Sequence, residues 1–304
     1  MNWLTRYRRL QQLGILGMNG RNTGCILDLN PRSRFPWVDG KLRLRDLCRD
    51  LGVAVPAVYA VFASHSALRH LSRVLSRHSQ FVMKPNRGAA GRGVLVVAGR
   101  EDGWFIRQNG QRLRLADLHQ HASGIISGLF SLGGQADQAL VQQRVISDPC
   151  FEPISFQGTA DVRIVVYKNV PAMAMLRLPT RMSGGRANLH QGAVGAGIEL
   201  DSGTTCRAVL RNRVIESHPD TGAPVVGFHV PYWSEILKIA CRVSRAVGMG
   251  YVGVDIVIDR RDGPLVLEAN ARPGLAIQIA NGRGLLKRLE AIDQQLAAQP
   301  KSTE

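Results

Sequence analysis

The chain has 304 residues, of which 45% are hydrophobic and 20% are charged. This composition supports two or three lobes with cores of their own, and no run of 18 apolar residues provides a membrane span. The N-terminal segment is basic and amphipathic but lacks the apolar centre of a signal peptide, so we expect a soluble, cytoplasmic protein. The five cysteines are scattered without a CxxC pair, which argues against a disulfide framework and against a zinc site.

The formal net charge is +16 at pH 7, and the sequence pI is about 10.6. Such a charge favours anionic partners, namely nucleotides, acidic peptides, nucleic acid or an anionic membrane surface. Because the charge is spread along the chain and only 6% of the residues are aromatic, the pattern weakens the case for a nucleic-acid partner.

The first part of the chain alternates short helices with strands. Residues 3–13 predict a short basic helix, and the Gly- and Pro-containing stretch 14–40 predicts a loop. Leucines at near-helical spacing predict a helix from Lys41 that ends near Gly52 and Pro56. The remaining elements predicted here are a basic helix over 65–78, a strand over 81–85, a glycine loop and a return strand over 94–99.

The second part predicts further hairpins. The predicted elements are a helix over 112–130, a buried strand over 139–146, strands over 161–169 and 170–180, a loop over 181–200, a helix over 231–247, a hairpin over 253–274 and a helix near 284–298. Because several neighbouring strands form hairpins, the pattern predicts an α+β fold rather than a doubly wound α/β fold.

Lys84 immediately precedes a glycine-rich run over 86–93. A P-loop has its lysine after the glycines and opens a helix, whereas here the order is reversed and a strand follows. Backbone N–H groups at such a hairpin tip can bind phosphate oxygens, and Lys84 with Arg87 or Arg92 can add positive charge. The same run is equally consistent with a mobile turn.

The hairpin over 253–274 carries two carboxylates inside apolar strands. With 260–263 as a four-residue loop, Asp255 lies opposite Glu268, and Asn270 shares their face because side chains alternate along a strand. Opposed acids destabilise a sheet unless a cation or a shifted pKa neutralises one of them. Three oxygen-bearing side chains favour a hard cation such as Mg²⁺ over an edge hairpin with solvated acids.

A lysine-bearing strand, a glycine-rich hairpin and a later hairpin with acidic residues occur in this same order in the ATP-grasp superfamily. The sequence resembles the RimK-like branch of that superfamily, the alpha-L-glutamate ligases, over roughly residues 36–290. The motifs that carry the resemblance are VDGK, FVMKPNRGAAGRGVLVV, ALVQQRV, DVRIVVY, RANLHQGA and YVGVDIVIDRRDGPLVLEANARPG. The N-terminal segment is similar to that of uncharacterised alpha-L-glutamate ligase homologues, and NARPG is similar to sugar-transfer-associated ATP-grasp proteins. The resemblance implies an ATP-grasp fold, in which two α+β lobes clamp a nucleotide.

The resemblance also implies the nucleotide and metal ligands. Its cofactors are ATP and Mg²⁺, with Mn²⁺ as an alternative ion. The implied nucleotide-binding residues are Lys41 and Lys84 at the phosphates, Gly88, Gly91 and Gly93 above them, and Gln142, Gln143, Arg144 and Val145 at the adenine edge. The implied metal ligands are Asp255, Glu268 and Asn270.

The reaction centre follows from the same resemblance. Arg163, Asn188 and Arg272 are implied as catalytic, and Arg177, Arg186 and His190 as substrate-contacting; a solvated surface charge is the alternative for each arginine. His190 suits a general base and a substrate hydrogen-bond partner equally well. Two positions depart from the family pattern, since Gln143 replaces a usual glutamate and Arg272 stands where many RimK-like ligases have serine.

The implied organisation is a basic extension over 1–40 in place of a full N-terminal domain, a first lobe over 41–138, a second lobe over 139–298 and a tail over 299–304. The implied function is an ATP-dependent carboxylate–amine ligase that forms an amide through an acyl phosphate and adds glutamate or another amino acid to an acidic peptide or small-molecule acceptor. Its implied partners are the carboxylate substrate, the amine co-substrate and a second copy of the chain. The alternatives are a nucleotide-binding regulatory or adaptor protein without turnover, and a basic factor associated with the ribosome or with nucleic acid.

Overall fold

The computed structural model describes residues 2–88, 91–131 and 134–298, and its strands form two antiparallel sheets. The strands are β1 (Val58–Phe62), β2 (Phe81–Pro85), β3 (Leu95–Glu101), β4 (Trp104–Arg107), β5 (Arg112–Leu113), β6 (Ala139–Gln142), β7 (Asp161–Tyr167), β8 (Val170–Leu178), β9 (Val194–Ile198), β10 (Thr205–Leu210), β11 (Arg213–Ile215), β12 (Tyr251–Asp259) and β13 (Gly263–Asn270). The first sheet has the order β1-β6-β2-β3-β4-β5, and the second has the order β11-β10-β9-β8-β7-β12-β13. This arrangement confirms the predicted α+β class.

Helices cover the sheets. They are α1 (Trp3–Gln12), α2 (Met18–Gly20), α3 (Pro36–Asp39), α4 (Lys41–Asp50), α5 (Leu71–Leu75), α6 (Leu115–Ile126), α7 (Trp233–Val247), α8 (Ala276–Asn281) and α9 (Leu286–Ala297). Short helical turns also occur at Arg21–Leu27, Arg32–Arg34, Ser66–His70, Pro149–Ile154 and Leu189–Gln191. Within the described ranges, none of the helices has the length and hydrophobicity needed to cross a bilayer.

The first lobe packs α5 and α6 on one face of its sheet. Phe81 and Met83 of β2 are fully buried against Leu118 and Ile125 of α6, because alternate residues of the strand point to the helical face. Lys84 follows Met83 and therefore points to the opposite face, which turns towards the second lobe.

The second lobe has three layers, with its sheet in the middle. Val254 and Ile256 of β12 pack against α7, whose Ile236, Ala240 and Val243 form one apolar face of that helix. The opposite face of the sheet packs against α8, α9 and the segment that begins at Leu16. All nine residues of β12 are buried, which explains its nearly continuous apolar sequence.

Several predicted boundaries differ from the structure. The predicted loop over 14–40 contains α2, α3 and two helical turns, and the predicted loop over 181–200 contains β9. The glycines of β9 are atypical of a strand, so the sequence pattern did not predict one here. A Cβ atom on Gly197 would lie 2.7 Å from Asn281 Cα, so glycine is needed at this position for α8 to pack against the strand. Strand β6, which the sequence assigns to the second lobe, pairs with β1 and β2 in the first sheet. A lobe boundary that keeps both sheets whole therefore falls after Gln142.

Candidate active site

A cavity of about 580 Å³ lies between the two sheets. Its lining comes from β2, β3, β4 and β6 on one side and from β7, β8, β12 and β13 on the other, so both lobes are needed to form it. The predicted site residues in its lining are Lys41, Lys84, Gly88, Gly91, Gln142, Gln143, Arg144, Val145, Arg163, Arg177, Arg186, Asn188, His190, Asp255, Glu268 and Asn270.

Two lysines form the positive part of this cavity. Lys84 lies at the end of β2 and is 9% exposed, and Lys41 opens α4, where its Nζ donates to the backbone oxygen of Gly88 at 3.1 Å. Asn86 positions α4 because its Oδ1 accepts from the Leu42 N–H at 3.0 Å. Burial and the nearby charge of Lys41 lower the pKa of Lys84 to about 7. Among the residues that the structure describes, no acidic group lies within 4.0 Å of Lys84, so the pair is suited to an anionic ligand.

The glycine-rich segment after Lys84 is described at Gly88, Gly91 and Gly93, whereas residues 89 and 90 lie outside the described ranges. Gly88 and Gly91 line the cavity, and Gly91 has a φ of 72°, which a glycine adopts without strain. Gly93 is not part of the lining. Its φ is 71°, its oxygen lies 2.9 Å from His121 Nε2, and a Cβ atom there would lie 2.7 Å from the Phe130 ring, so Gly93 holds the base of the segment.

The residues predicted at the adenine edge lie at the end of β6 and directly after it, and the side chains of Gln142 and Gln143 are hydrogen-bonded within the protein. Gln142 Nε2 donates to the Pro56 oxygen at 2.9 Å. Gln143 Oε1 accepts from the Ala57 N–H at 3.0 Å, and its Nε2 donates to Asp262 at 2.7 Å. Both ends of the Gln143 amide are therefore occupied by groups of the protein, and the Gln143 backbone N–H also donates to the Ala57 oxygen, at 2.8 Å.

Asp255 is buried at the centre of a charged cluster. Arg163 lies directly opposite on β7 and binds both carboxylate oxygens, at 2.6 Å from Nε and 2.5 Å from Nη2. Arg177 adds a third bond, with Nη2 at 2.8 Å from Asp255 Oδ2. Burial by itself would raise the pKa of Asp255, but the two guanidinium groups outweigh it and hold the pKa below its usual range.

Asp161 is a site residue that the sequence reasoning missed. It lies directly opposite Arg177 in the β7–β8 pair and accepts from both Nε and Nη2 of that arginine. Burial is the main cause that raises its pKa, to about 7, against the opposing effect of Arg177. The available signal was strand alternation, since Asp161 is two residues before Arg163 and shares its face.

The opposed pair Asp255 and Glu268 is present, but the register that creates it differs from the prediction. The loop has three residues, 260–262, rather than four, and a bulge at Leu267 restores the offset, so that Asp255 still lies opposite Glu268. Asn270 Nδ2 donates to Asp255 Oδ2 and to Glu268 Oε1, both at 3.3 Å. The two carboxylates and the amide therefore converge at one place.

This oxygen set fits Mg²⁺ in its chemistry. Within the described residues, no group of three or more His, Cys, Asp and Glu side chains is arranged to hold a metal, so a site here depends on Asn270 and on oxygens from outside the protein. Arg163 and Arg177 already neutralise Asp255, whereas Glu268 is 37% exposed and its contact with Arg163 is 4.0 Å long. Glu268 is thus the carboxylate more open to an ion.

The remaining predicted residues divide into two groups. Arg186, Asn188 and His190 line the cavity, and Asn188 Oδ1 also accepts from the His190 N–H at 3.0 Å, which shapes the turn that carries them. Arg272 is outside the lining that the described residues form, because its guanidinium packs 4.8 Å from the centre of the Phe35 ring. Residues of the lining that were not predicted include Arg107, Asn109, Gln157, Thr159 and Met175.

Three solved structures illustrate the similarity of the fold. The biotin carboxylase–beta-gamma-ATP complex from Campylobacter jejuni has a TM-score of 0.54 at 11% identity, over 84% of this chain and 46% of that chain. The ATP-grasp ligase PsnB, complexed with minimal precursor, Mg and ADP, has a TM-score of 0.47 at 16% identity, over 88% and 61%. A RimK domain ATP-grasp protein from Sphaerobacter thermophilus has a TM-score of 0.47 at 16% identity, over 86% and 70%. The chain thus spans less than two thirds of the PsnB chain.

The two sheets around a lysine-bearing cavity define an ATP-grasp protein, and proteins of this superfamily bind ATP and Mg²⁺. The chain matches the sugar-transfer associated ATP-grasp family over residues 20–294 and belongs to that family. No curated protein matches the sequence.

Proposed function

We propose that the protein is an ATP-dependent carboxylate–amine ligase that binds its nucleotide between the two lobes. The observation that carries this proposal is that one cavity contains a buried lysine, which no carboxylate of the described residues approaches within 4.0 Å, and, on the facing sheet, a carboxylate held by two arginines. The lysine suits phosphate oxygens, and the arginines suit a substrate carboxylate.

The residues divide the chemistry between them. ATP would supply the phosphoryl group that converts a carboxylate into an acyl phosphate with release of ADP, and Mg²⁺, when bound, would neutralise charge on the phosphates. Lys41 and Lys84 bind the phosphates, and Asp255, Glu268 and Asn270 would hold the ion. Arg163 and Arg177 are fixed by bonds to Asp255 and Asp161, so they can stabilise developing negative charge without rearranging.

The substrates are proposed from charge and from the family resemblance. Arg92, Arg107 and Arg186 in the lining favour an acidic acceptor, either a peptide or a small molecule. Glutamate or another amino acid is the proposed second substrate, whose amine attacks the acyl phosphate to form an amide, with release of inorganic phosphate and the amine proton. A homodimer is a proposal from the resemblance, and a cytoplasmic location is a proposal from the composition and the N-terminal segment.

The test is release of ADP and phosphate in the presence of pools of amino acids and acidic peptides, with mass spectrometry of the products. We expect one pair of substrates to stimulate ADP release in step with amide formation. Lys84→Met should abolish it, whereas Lys238→Met, which removes the same charge from an exposed position on α7, should not. Nucleotide binding without turnover for any pair would instead favour the regulatory protein, and strongly salt-dependent retention on nucleic acid would favour the third candidate.

A further inference from the structure

The N-terminal helix α1 exposes apolar side chains that the cavity does not explain. Leu4 and Leu10 are each 49% exposed, and Leu13, which follows the helix, is 44% exposed. Thr5 and Gln12 are also exposed. The helix therefore projects from the second lobe into solvent.

The apolar residues of α1 lie on one side. At 3.6 residues per turn, positions 4, 7 and 10 fall within an arc of about 120°, whereas positions 5, 8, 9 and 12 fall outside it. The arc carries Leu4, Tyr7 and Leu10 together with the polar Gln11, and the surface outside it carries Thr5, Arg8, Arg9 and Gln12. A helix with a leucine-rich side and a basic side is the form that lies in a membrane interface.

The charged side chains of residues 1–27 all have the same sign. Residues 1–27 contain Arg6, Arg8, Arg9 and Arg21 and no acidic residue before Asp28. Lys287 of α9 lies at the base of the helix, because a Cβ atom on Gly14 would be 2.6 Å from its Cγ. A partner for this surface must carry both negative charge and apolar groups. A second copy of this basic chain does not provide the negative charge, and nucleic acid would leave the leucines without apolar contacts.

The base of α1 is firmly attached to the second lobe. Leu16 N–H donates to Gln278 Oε1 at 2.8 Å, Gln278 Nε2 donates to the Leu16 oxygen at 3.0 Å, and Gln278 is only 4% exposed. The Leu286 N–H donates to the Gly14 oxygen at 3.0 Å. A partner that binds α1 is therefore held close to the second lobe, which forms half of the cavity.

We propose that α1 is a peripheral membrane-binding helix, which inserts Leu4 and Leu10 among the headgroups of an anionic bilayer while its arginines contact the lipid phosphates. A ten-residue helix is marginal by itself in water, and burial of its apolar side in the interface would stabilise it. This inference is independent of the proposed ligase activity.

The test is sedimentation of the full chain with vesicles of phosphatidylglycerol and phosphatidylcholine, and with vesicles of phosphatidylcholine alone. We expect binding only to the anionic vesicles. The double variant Leu4→Glu/Leu10→Glu should weaken it at least about tenfold, whereas Thr5→Glu/Gln12→Glu, which adds the same charge to the other side of the helix, should weaken it less than about threefold. Retained nucleotide binding would show that both variants are folded.

Four outcomes overturn the proposal. They are the absence of binding to anionic vesicles, equal binding to both lipid compositions, equal loss in the two double variants, and a solution dimer that only Leu4→Glu/Leu10→Glu dissociates. Retention on double-stranded DNA without vesicle binding belongs to the first of these outcomes and would assign the basic surface to nucleic acid.

Discussion

Asp255 and Glu268 lie opposite each other across β12 and β13, yet their environments differ sharply. The Asp255 side chain is 2% exposed and bonded to two arginines, whereas that of Glu268 is 37% exposed. The first carboxylate supports the fold, and the second remains available to a ligand. This division leads to separate predictions for the two acids.

Asp255→Asn should destabilise the ligand-free protein by about 3–5 kcal/mol, because the largely buried Arg163 would then keep only its 4.0 Å contact with Glu268, and Arg177 would keep only Asp161 as counter-charge. Equilibrium denaturation measures this loss. The matched control is Asp46→Asn, because the Asp46 side chain is 42% exposed and pairs with the half-buried Arg45 and the exposed Arg49, and we expect a change of at most about 1 kcal/mol there. Equal effects of the two substitutions would show that the arginine cluster does not depend on Asp255.

Glu268→Gln should leave stability nearly unchanged but reduce the contribution of Mg²⁺ to nucleotide affinity by at least about tenfold, because the amide is a poorer ligand for a hard cation. Calorimetric titration of nucleotide with Mg²⁺ and with a chelator measures that contribution. Glu290→Gln on α9 removes the same charge from an exposed site and serves as the control. An unchanged dependence on Mg²⁺ in Glu268→Gln would refute the assignment of the metal site.

Nucleotide binding should take up a proton at Lys84. The pKa of this lysine is about 7 in the folded, ligand-free protein against 10.5 for an ordinary lysine, and phosphate charge favours the protonated form. Between these values, up to about one proton is expected to be taken up, and affinity should fall as pH rises. Calorimetry in buffers of different ionisation enthalpy detects the proton, and the signal should disappear in Lys84→Met.

The same shift predicts how stability of the ligand-free protein depends on pH. Because the unfolded chain keeps the Lys84 proton up to about 10.5 and the folded chain releases it near 7, the unfolded state binds more protons within that window. The contribution of Lys84 therefore makes the protein more stable as pH rises from 7 to 10.5. Denaturation across this range should show a slope that Lys84→Met reduces and Lys238→Met preserves.

Gln143→Glu should destabilise the protein by about 1–2 kcal/mol, although the resemblance to RimK-like ligases implies a glutamate at this position. Its carboxylate would face Asp262, to which the Gln143 amide now donates at 2.7 Å. Thermal unfolding of the double variant Gln143→Glu/Asp262→Asn should recover most of the loss, since the introduced asparagine amide can donate to the new carboxylate. Failure of the second substitution to restore stability would separate the effect from this contact.

Local patterns allowed much of the fold and part of the site to be predicted from the sequence. Alternation along strands placed Asp255, Glu268 and Asn270 on one face, and a short turn brought the two strands together. The position of Lys84 at a strand end followed in the same way. The loop length was predicted one residue too long, and the bulge at Leu267 offset that error, because a bulge has no local sequence signal.

The resemblance to known ligases could not decide where Arg272 lies. Arg272 follows Asn270 by two residues, but the chain turns after β13. The Arg272 guanidinium therefore packs on Phe35, which is distant from it in the sequence. Strand β9 was not predicted because its glycines are typical of a loop. In the structure these glycines instead allow α8 to approach the strand closely, and this contact depends on residues distant in the sequence.

The sequence by itself determined which residues alternate on a strand, which helices are amphipathic and how the chain is charged, because each of these depends on neighbours a few positions away. Only the tertiary structure decided that Arg163 lies opposite Asp255 and Arg177 opposite Asp161. Residue 163 meets residue 255 because β7 and β12 become neighbours in the sheet, in a register set by the packing of both faces. The counter-ion of a buried carboxylate is therefore a property of strand order, which nothing local in the sequence encodes.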